Sequence, residues 1–175
     1  MLDRSHMLFL SPLALLAGSA VAQEKPRQAF DCDVPANHYS SVSQDLVEPF
    51  GISGSVKVVE MRSGDYLPVA GVLLRSAEGL NGVGFQLAAP SKDAELFDVI
   101  LNTRNNGVSN QRIIAQISTR DTIPFSLLID NSGKIRLAIG GTNYDIADFP
   151  PSELNGMVFC STGQFKFTEL TFSGR

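Results

Sequence analysis

Short apolar alternations, each bounded by turn-forming residues, recur along this 175-residue chain and constrain its fold more than any other feature. Apolar and polar residues alternate over short runs, and Gly, Asn, Asp or Pro then intervenes. Because successive side chains of a β-strand point to opposite faces, this pattern predicts strands. No segment after residue 28 carries the apolar period of an amphipathic helix. The sequence therefore predicts an all-β fold, an antiparallel two-sheet β-sandwich.

The predicted strands are separated by short turns, and no linker rich in Gly, Ser or Pro divides them. They lie at 29–32, 54–62, 69–76, 82–88, 96–103, 112–118, 125–130, 134–140, 144–147, 157–161 and 164–173. One short helical turn is expected at 43–47 or at 151–154. We therefore expect a single β-sandwich domain over residues 29–175.

One hairpin is specified by the parity of its apolar residues. Ile129 and Ile135 share a face if they pair across an odd loop. Residues 131–133 form such a loop, and Gly133 can adopt the left-handed backbone conformation that it requires. The sequence therefore predicts a three-residue hairpin loop at this position.

Two other segments require an irregularity. A two-residue Asn106-Gly107 turn would place Leu101 opposite Arg112 and would put the apolar residues of the two strands on opposite faces. Either the loop near Gly107 is odd or one strand contains a bulge. In the last predicted strand the apolar parity changes near residues 168–169, which predicts a second bulge; the alternative is a strand buried on both sides.

The N-terminus is typical of an export signal. Residues 7–16 form an apolar run, and Ala20 and Ala22 fit the small-residue rule for cleavage. We expect a signal peptide at residues 1–22 and a polar lead-in at residues 23–28. The alternative is a membrane anchor, which needs about 18 apolar residues without interruption. The sequence therefore predicts a secreted or periplasmic protein with no membrane span after processing.

The two cysteines of the chain, Cys32 and Cys160, both follow the expected cleavage site. An even pair in an exported protein predicts a disulfide, and the alternative is two separate buried thiols. The sequence contains no Asn-x-Ser/Thr acceptor for N-glycosylation, which fits a bacterial exported protein.

The residues needed for common enzymatic chemistry are sparse. His38 is the single histidine after the expected cleavage site, and no nucleophile elbow accompanies it. Glu60 has no second carboxylate two positions further along its strand. A zinc site needs several His or Cys ligands, which this sequence does not offer. The sequence therefore predicts that the protein is not an enzyme, with no catalytic residue and no metal-ligating residue assigned.

Calcium is the one metal for which the sequence offers candidate ligands, because it takes oxygen ligands from loops. Acidic residues group at three places: Asp31 and Asp33; Asp93, Glu95 and Asp98; and Asp145 and Asp148. Acidic loop residues are ordinarily just solvated. We expect no cofactor, and a structural calcium ion is the alternative.

The strongest candidates for ligand contact are polar residues in loops. The chain lacks Trp and has three Tyr residues, so a large aromatic platform for sugars is not evident. The hairpin tip at residues 104–112 is rich in amides and carries an arginine at each end. We predict ligand binding by Arg104, Asn106, Arg112 and Tyr144; the alternative is a solvated turn.

Part of the chain resembles a known superfamily. The strand at 125–130, its loop at 131–133, the strand at 134–140 and the closing run at 163–170 resemble the concanavalin A-like lectins and glucanases, nearest their laminin-G-like members. The resemblance implies a two-sheet jelly roll that binds glycans in many members. It also implies that the last strand returns beside residues 29–32, which would make the two cysteines neighbours.

These observations predict an exported, non-catalytic binding module that recognises a glycan or a cell-envelope component. The alternatives are a structural or adhesion subunit that binds a protein partner, and a divergent polysaccharide hydrolase or lyase. With a net charge of −4 and no basic patch, the chain is not expected to bind nucleic acid.

Overall fold

The regular elements of the protein are β-strands. A computed structural model describes residues 27–46, 48–146 and 153–173, and these residues form ten strands. In chain order they are β1 (Gln28–Leu46), β2 (Phe50–Met61), β3 (Val69–Ser76), β4 (Gly82–Ala88), β5 (Leu96–Asn105), β6 (Val108–Ser118), β7 (Ile123–Ile129), β8 (Ile135–Ile139), β9 (Thr142–Ile146) and β10 (Leu154–Ser173). The predicted signal peptide lies outside the described residues.

All strand pairs are antiparallel, and β10 links two layers. Its first half pairs with β3 and its second half with β2, while β1 follows it along both halves. One layer, which we call sheet I, therefore runs β6-β5-β4-β3-β10-β1, and the other, sheet II, runs β9-β8-β7-β2-β10-β1. The predicted antiparallel β-sandwich is confirmed, as is the pairing of the last strand with the first.

The core lies between the two sheets. Phe85 of sheet I contacts Phe125 of sheet II at a ring-centroid distance of 5.5 Å, and Phe97 of sheet I contacts Phe165 of sheet II at 6.3 Å. All four side chains are at most 4% exposed. Because strand side chains alternate, each strand that buries one face presents the other outward. The outer faces of the sheets are therefore available to bind a ligand.

The passage from one sheet to the other is fixed by a corner at Thr162. This residue has a φ of 51°, and its Oγ1 accepts a hydrogen bond from the Asn37 backbone N–H at 3.2 Å. Its carbonyl accepts another from the Arg62 N–H at 3.1 Å. The Cys32–Cys160 disulfide, which the sequence predicts, lies beside this corner with a Cα–Cα distance of 6.1 Å.

The parity predictions hold in the structure. Ile129 pairs with Ile135, and Gly133 has a φ of 84°. The Asn106-Gly107 turn has two residues, with positive φ at both, and the parity is restored by a bulge at Ile114 between the two flanking pairs. The second alternative, a bulge, is therefore correct. The last strand also contains a bulge, where Glu169 has a φ of 53°.

The predicted strand bounds were wrong at four places, one of them the start of β2, which begins at Phe50 and not at residue 54. β1 continues to Leu46, so residues 43–46 form a strand at the first of the two places where a helical turn was expected. At the second place, Leu154 begins β10, and residues 151–152 lie outside the described ranges. β10 is one continuous strand from Leu154, where two strands were expected. β6 starts at Val108, directly after the turn. Edge strands such as β1 and β6 expose polar side chains on both faces, so the apolar alternation fades although backbone pairing continues. No helix among the described residues is long and apolar enough to cross a membrane.

Candidate ligand-binding groove

A groove with a volume of about 230 Å³ crosses β3 to β6 on the outer face of sheet I. Its floor includes Gly82 and Gly84 of β4, and Gly71 of β3 lies in the next row. A Cβ atom at Gly84 would collide with the Val72 carbonyl oxygen, and one at Gly71 would lie 2.5 Å from the Phe159 ring. Glycine is therefore required at these positions by close packing. Because glycine has no side chain, these positions also leave the groove unfilled.

Residues with amide side chains line the groove from β4, β5 and β6. Asn102 of β5 lies between Gly84 and Gln111 in the strand register, and Gln86 lies one row further along β4. Directly opposite residues in antiparallel strands place their Cβ atoms about 5 Å apart on one face. Since each amide both donates and accepts hydrogen bonds, the row can bind several hydroxyl groups.

Two buried amide oxygens on this face have no hydrogen-bond partner. They are Oδ1 of Asn102 and Oδ1 of Asn155, and they are the unsatisfied buried side-chain atoms found within the described ranges. The Asn102 Nδ2 donates to the Ile100 carbonyl at 3.4 Å, and the Asn155 Nδ2 donates to Asp45 at 3.0 Å. A buried polar atom without a partner costs roughly 1–3 kcal/mol. Asn102 lines the groove, whereas Asn155 lines a separate depression, so a groove ligand whose hydroxyl reached the Asn102 oxygen would relieve that cost.

An aromatic pair borders the groove toward β1. Phe159 lines it from β10, and Tyr39 of β1 lies 5.8 Å away between ring centroids. The Tyr39 hydroxyl donates to the Met157 sulfur at 3.3 Å, and the side chain is 55% exposed. The pair offers an apolar surface next to the polar amides, a combination that fits ligands with both characters.

The charged side chains beside the groove are arginines. Arg104 of β5 and Arg75 of β3 are the direct strand partners of Gly82 on either side. Neither arginine forms an ion pair with any of the described residues. The groove is therefore locally positive on a chain whose net charge is −4.

The four predicted ligand contacts do not lie together. Arg104 lines the groove, whereas Asn106 sits in the hairpin turn and its N–H donates to Asn81 at 2.9 Å. Arg112 pairs with Leu101 and so lies on the opposite side of sheet I. Tyr144 is on β9 of sheet II, half-buried against the core. A role for each of them in binding stays a prediction.

Several groove residues were missed from the sequence. Gln86 and Asn102 lie within predicted strands, where core residues were expected, whereas Gln111 belongs to the amide-rich hairpin tip but was not among the four predicted contacts. The signal that could have found them is the pair of glycines at 82 and 84 inside a strand, since glycine in a strand often marks close approach. Polar residues that alternate with the buried ones on the neighbouring strand, and so point outward, are the second part of that signal.

Several of the acidic groups considered for calcium contact other side chains, as does Glu60. Asp33 and Glu60 both bind Arg62, at 2.7 and 2.6 Å, and their hydrogen bonds, Glu60 first, raise the pKa of Arg62. Asp31 accepts from Gln164 at 2.9 Å. Within the described ranges, no three His, Cys, Asp or Glu side chains are grouped so as to hold a metal ion. Asp148 lies outside those ranges.

The single histidine of the described part is exposed and bound locally. His38 Nδ1 lies 2.8 Å from the Ala36 carbonyl oxygen. The ring sits just before Tyr39, on β1, and does not line the groove.

Comparisons with known proteins identify the fold. No protein-family model matches the sequence, and no curated protein is similar to it in sequence. Solved structures do match: a β-glucanase from Bacillus licheniformis has a TM-score of 0.52 at 11% identity, covering 84% of this chain and 92% of that chain. The homodimeric agglutinin CG-16 from chicken liver has a TM-score of 0.53 at 11% identity, covering 78% and 100%. An alginate lyase from Alteromonas sp. 272 has a TM-score of 0.54 at 12% identity, covering 87% and 89%.

These matches correct one prediction and confirm another. The prediction that the protein is not an enzyme was wrong, because the same fold carries a glucanase and alginate lyases as well as lectins. The absence of familiar motifs from the sequence was therefore insufficient ground for excluding catalysis. At these identities the likeness shows the fold alone. The chain has the jelly-roll fold of the concanavalin A-like proteins, as the sequence resemblance implies.

Proposed function

We propose that the protein binds a glycan chain in the groove on the outer face of sheet I. The amides of Gln86, Asn102 and Gln111 supply donors and acceptors for sugar hydroxyls. Phe159 and Tyr39 supply an apolar surface for the C–H faces of sugar rings. From β6 to β3 the groove spans roughly 14 Å at the usual strand spacing, which accommodates an oligosaccharide rather than a single sugar.

The observation that carries this proposal is the unsatisfied oxygen of Asn102. Its side chain lines the groove, yet its buried Oδ1 has no hydrogen-bond partner. Native proteins pair nearly all buried polar atoms, so an exception on a groove wall favours a site completed by a ligand. The missing partner must be a donor, and a hydroxyl group is one.

The structural neighbours support a polysaccharide ligand. They include enzymes named for polysaccharides, a β-glucanase and alginate lyases, and also an agglutinin and a galectin. A lectin binds its glycan, and an enzyme must bind its polysaccharide substrate before it acts on it. The proposal therefore concerns recognition, and a test for turnover belongs in the same experiment.

Export of the protein also belongs to this proposal. The apolar N-terminal run and the Cys32–Cys160 disulfide fit an oxidising compartment outside the cytoplasm. Extracellular or envelope polysaccharides are accessible there. A protein of the cell envelope is the competing partner, since the edge strands β1, β6 and β9 each have one unpaired side in the described structure.

A polysaccharide array, probed with the protein from Gln23 onward, tests the proposal. We expect binding to at least one polysaccharide, with an affinity that falls about tenfold or more in Asn102→Ala. The matched control is Asn143→Ala, which removes an exposed amide from sheet II and should leave binding unchanged. Incubation of the bound polysaccharide and measurement of new chain ends would show whether it is cleaved.

Two results would overturn the proposal. One is an array on which no polysaccharide binds above background. The other is equal binding by the two asparagine variants, which would remove the groove from consideration. In either case, capture of partners from an envelope fraction becomes the next measurement.

A further inference from the structure

Two arginines without counter-ions flank one glycine at the groove. Arg75 and Arg104 are exposed, and each is the direct strand partner of Gly82. All three residues lie in one row on one face, so the two arginine backbones are roughly 10 Å apart. Because Gly82 has no side chain, no side chain stands between the two arginines in this row of the sheet.

The pairing of other arginines makes this absence informative. Of the seven arginines of the described part, four form ion pairs with acidic side chains: Arg27, Arg62, Arg120 and Arg136. Arg112 also has no ion pair, but it lies on the opposite face of sheet I. Beside Arg75, the next residues in the same row are Asn155 and then Asp45, two strands away. That carboxylate accepts a hydrogen bond from Asn155 and forms no ion pair with Arg75.

We infer that the groove recognises an anionic glycan, whose carboxylate or sulfate group is held over Gly82 between Arg75 and Arg104. This inference rests on the proposed function and specifies its ligand class. A guanidinium group binds a planar carboxylate or a sulfate through two parallel N–H donors. Two such groups on either side of a glycine provide both the charge and the room.

The net negative charge of the chain bears on how an anionic ligand could bind. With a net charge of −4, the protein repels a polyanion at long range, so affinity for one must come from a local site. Asn102 and Asn155, with their unpaired oxygens, lie next to the arginines on the same face. Hydroxyl and anion recognition are thus combined, which favours an acidic sugar over a free anion.

The test measures binding of matched neutral and anionic oligosaccharides by calorimetry. One arm uses oligouronates of several uronic acids and the same oligosaccharides with their carboxyl groups reduced to alcohols. The second arm uses sulfated oligosaccharides and their desulfated forms. The variant is the double change Arg75→Ala and Arg104→Ala. The control, Arg27→Ala with Arg120→Ala, removes the same charge from two exposed ion pairs elsewhere.

We expect one anionic series to bind about tenfold or more tightly than its neutral form, and the Arg75/Arg104 variant to lose that preference while the control keeps it. The arm that shows the preference identifies the anion as carboxylate or sulfate. Equal binding of anionic and neutral forms, still abolished in Asn102→Ala, would overturn this inference and leave the proposed function intact. Binding of neither form would overturn both.

Discussion

Cys32 and Cys160 lie in different sheets, so their disulfide joins the two layers of the sandwich. Cys32 is opposite Phe165 in the half of the β1–β10 pair that belongs to sheet II, whereas Cys160 is opposite Ser40 in the half that belongs to sheet I. Both cysteines are at most 1% exposed. The bond therefore ties together the two halves of the ribbon beside the corner at Thr162, where the strand pairing is interrupted.

Removal of this bond is expected to lower stability substantially. The cysteines are 128 residues apart, and closing a loop of that length stabilises a folded chain by about 4–5 kcal/mol in the chain-entropy model. For a domain of this size we expect the double variant Cys32→Ala, Cys160→Ala to melt roughly 10–20 °C lower. Thermal unfolding followed by circular dichroism would measure it, and an unchanged melting temperature would contradict the expectation.

Leu127 and Leu128 provide a matched pair for the core. They are adjacent on β7, but Leu127 is fully buried and Leu128 is 40% exposed on the outer face of sheet II. We expect Leu127→Ala to cost roughly 2–5 kcal/mol of unfolding free energy because it leaves a cavity. Leu128→Ala should cost much less, within about 1 kcal/mol. Urea unfolding of both variants measures the difference, and similar costs would mean that the assigned faces are wrong.

The hairpins could be predicted because parity is an arithmetic constraint. Once Ile129 and Ile135 must share a buried face, the loop between them must be odd, and Gly133 supplies the required positive φ. The same parity constraint predicted an irregularity near Gly107. It could not predict that the irregularity is a bulge at Ile114. A bulge and an odd loop restore parity equally well.

The groove could not be predicted in the same way. Its residues come from separate strands, and it is the lateral order of β3, β4, β5 and β6 that brings Gly84, Asn102 and Gln111 into one row. The predicted ligand contacts were polar residues of loops, and of those four Arg104 alone lines the groove; its role in binding stays a prediction. Arg75 escaped notice because its importance lies in the absence of an acidic partner, which depends on three-dimensional packing.

Gly84 is expected to tolerate no side chain. A Cβ atom there would meet the Val72 carbonyl oxygen, and backbone cannot move aside as a flexible side chain can. We expect Gly84→Ala to lower stability by about 1–3 kcal/mol. At Gly82 the nearest atom to an added Cβ is 3.3 Å away, so Gly82→Ala is the control with a smaller effect. Equal melting temperatures for the two variants would show that β4 can shift.

Processing at the N-terminus is a separate expectation from sequence. If residues 1–22 are a signal peptide, the exported protein begins at Gln23. Intact mass spectrometry of protein recovered from the medium or periplasm should show this start, or its cyclised pyroglutamate form. Retention of residues 7–16 in the exported protein would exclude cleavage at this position.

The turn after β7 should make stability depend on pH. The Ser132 hydroxyl donates to Asp130 Oδ1 at 2.5 Å, and the backbone N–H groups of Ser132 and Lys134 donate at 2.9 and 3.1 Å. These hydrogen bonds, the hydroxyl's first, lower the pKa of Asp130 in the folded protein. A lowered pKa means that the charged carboxylate stabilises the fold above its pKa in the unfolded chain. That contribution disappears as the pH falls through the folded-state pKa.

Asp130→Asn isolates this effect because asparagine keeps the shape and one acceptor oxygen but cannot carry the charge. We expect the variant to melt below the wild type at about pH 7, and the gap to narrow at about pH 2.5, because the wild-type carboxylate loses its charge as the pH falls through its lowered pKa. Asp93→Asn is the control, since the Asp93 side chain forms no hydrogen bond or ion pair with the described residues. Calorimetric melting curves at both pH values provide the measurement. A gap of equal size at the two values would show that the charge of Asp130 plays no part in holding the turn.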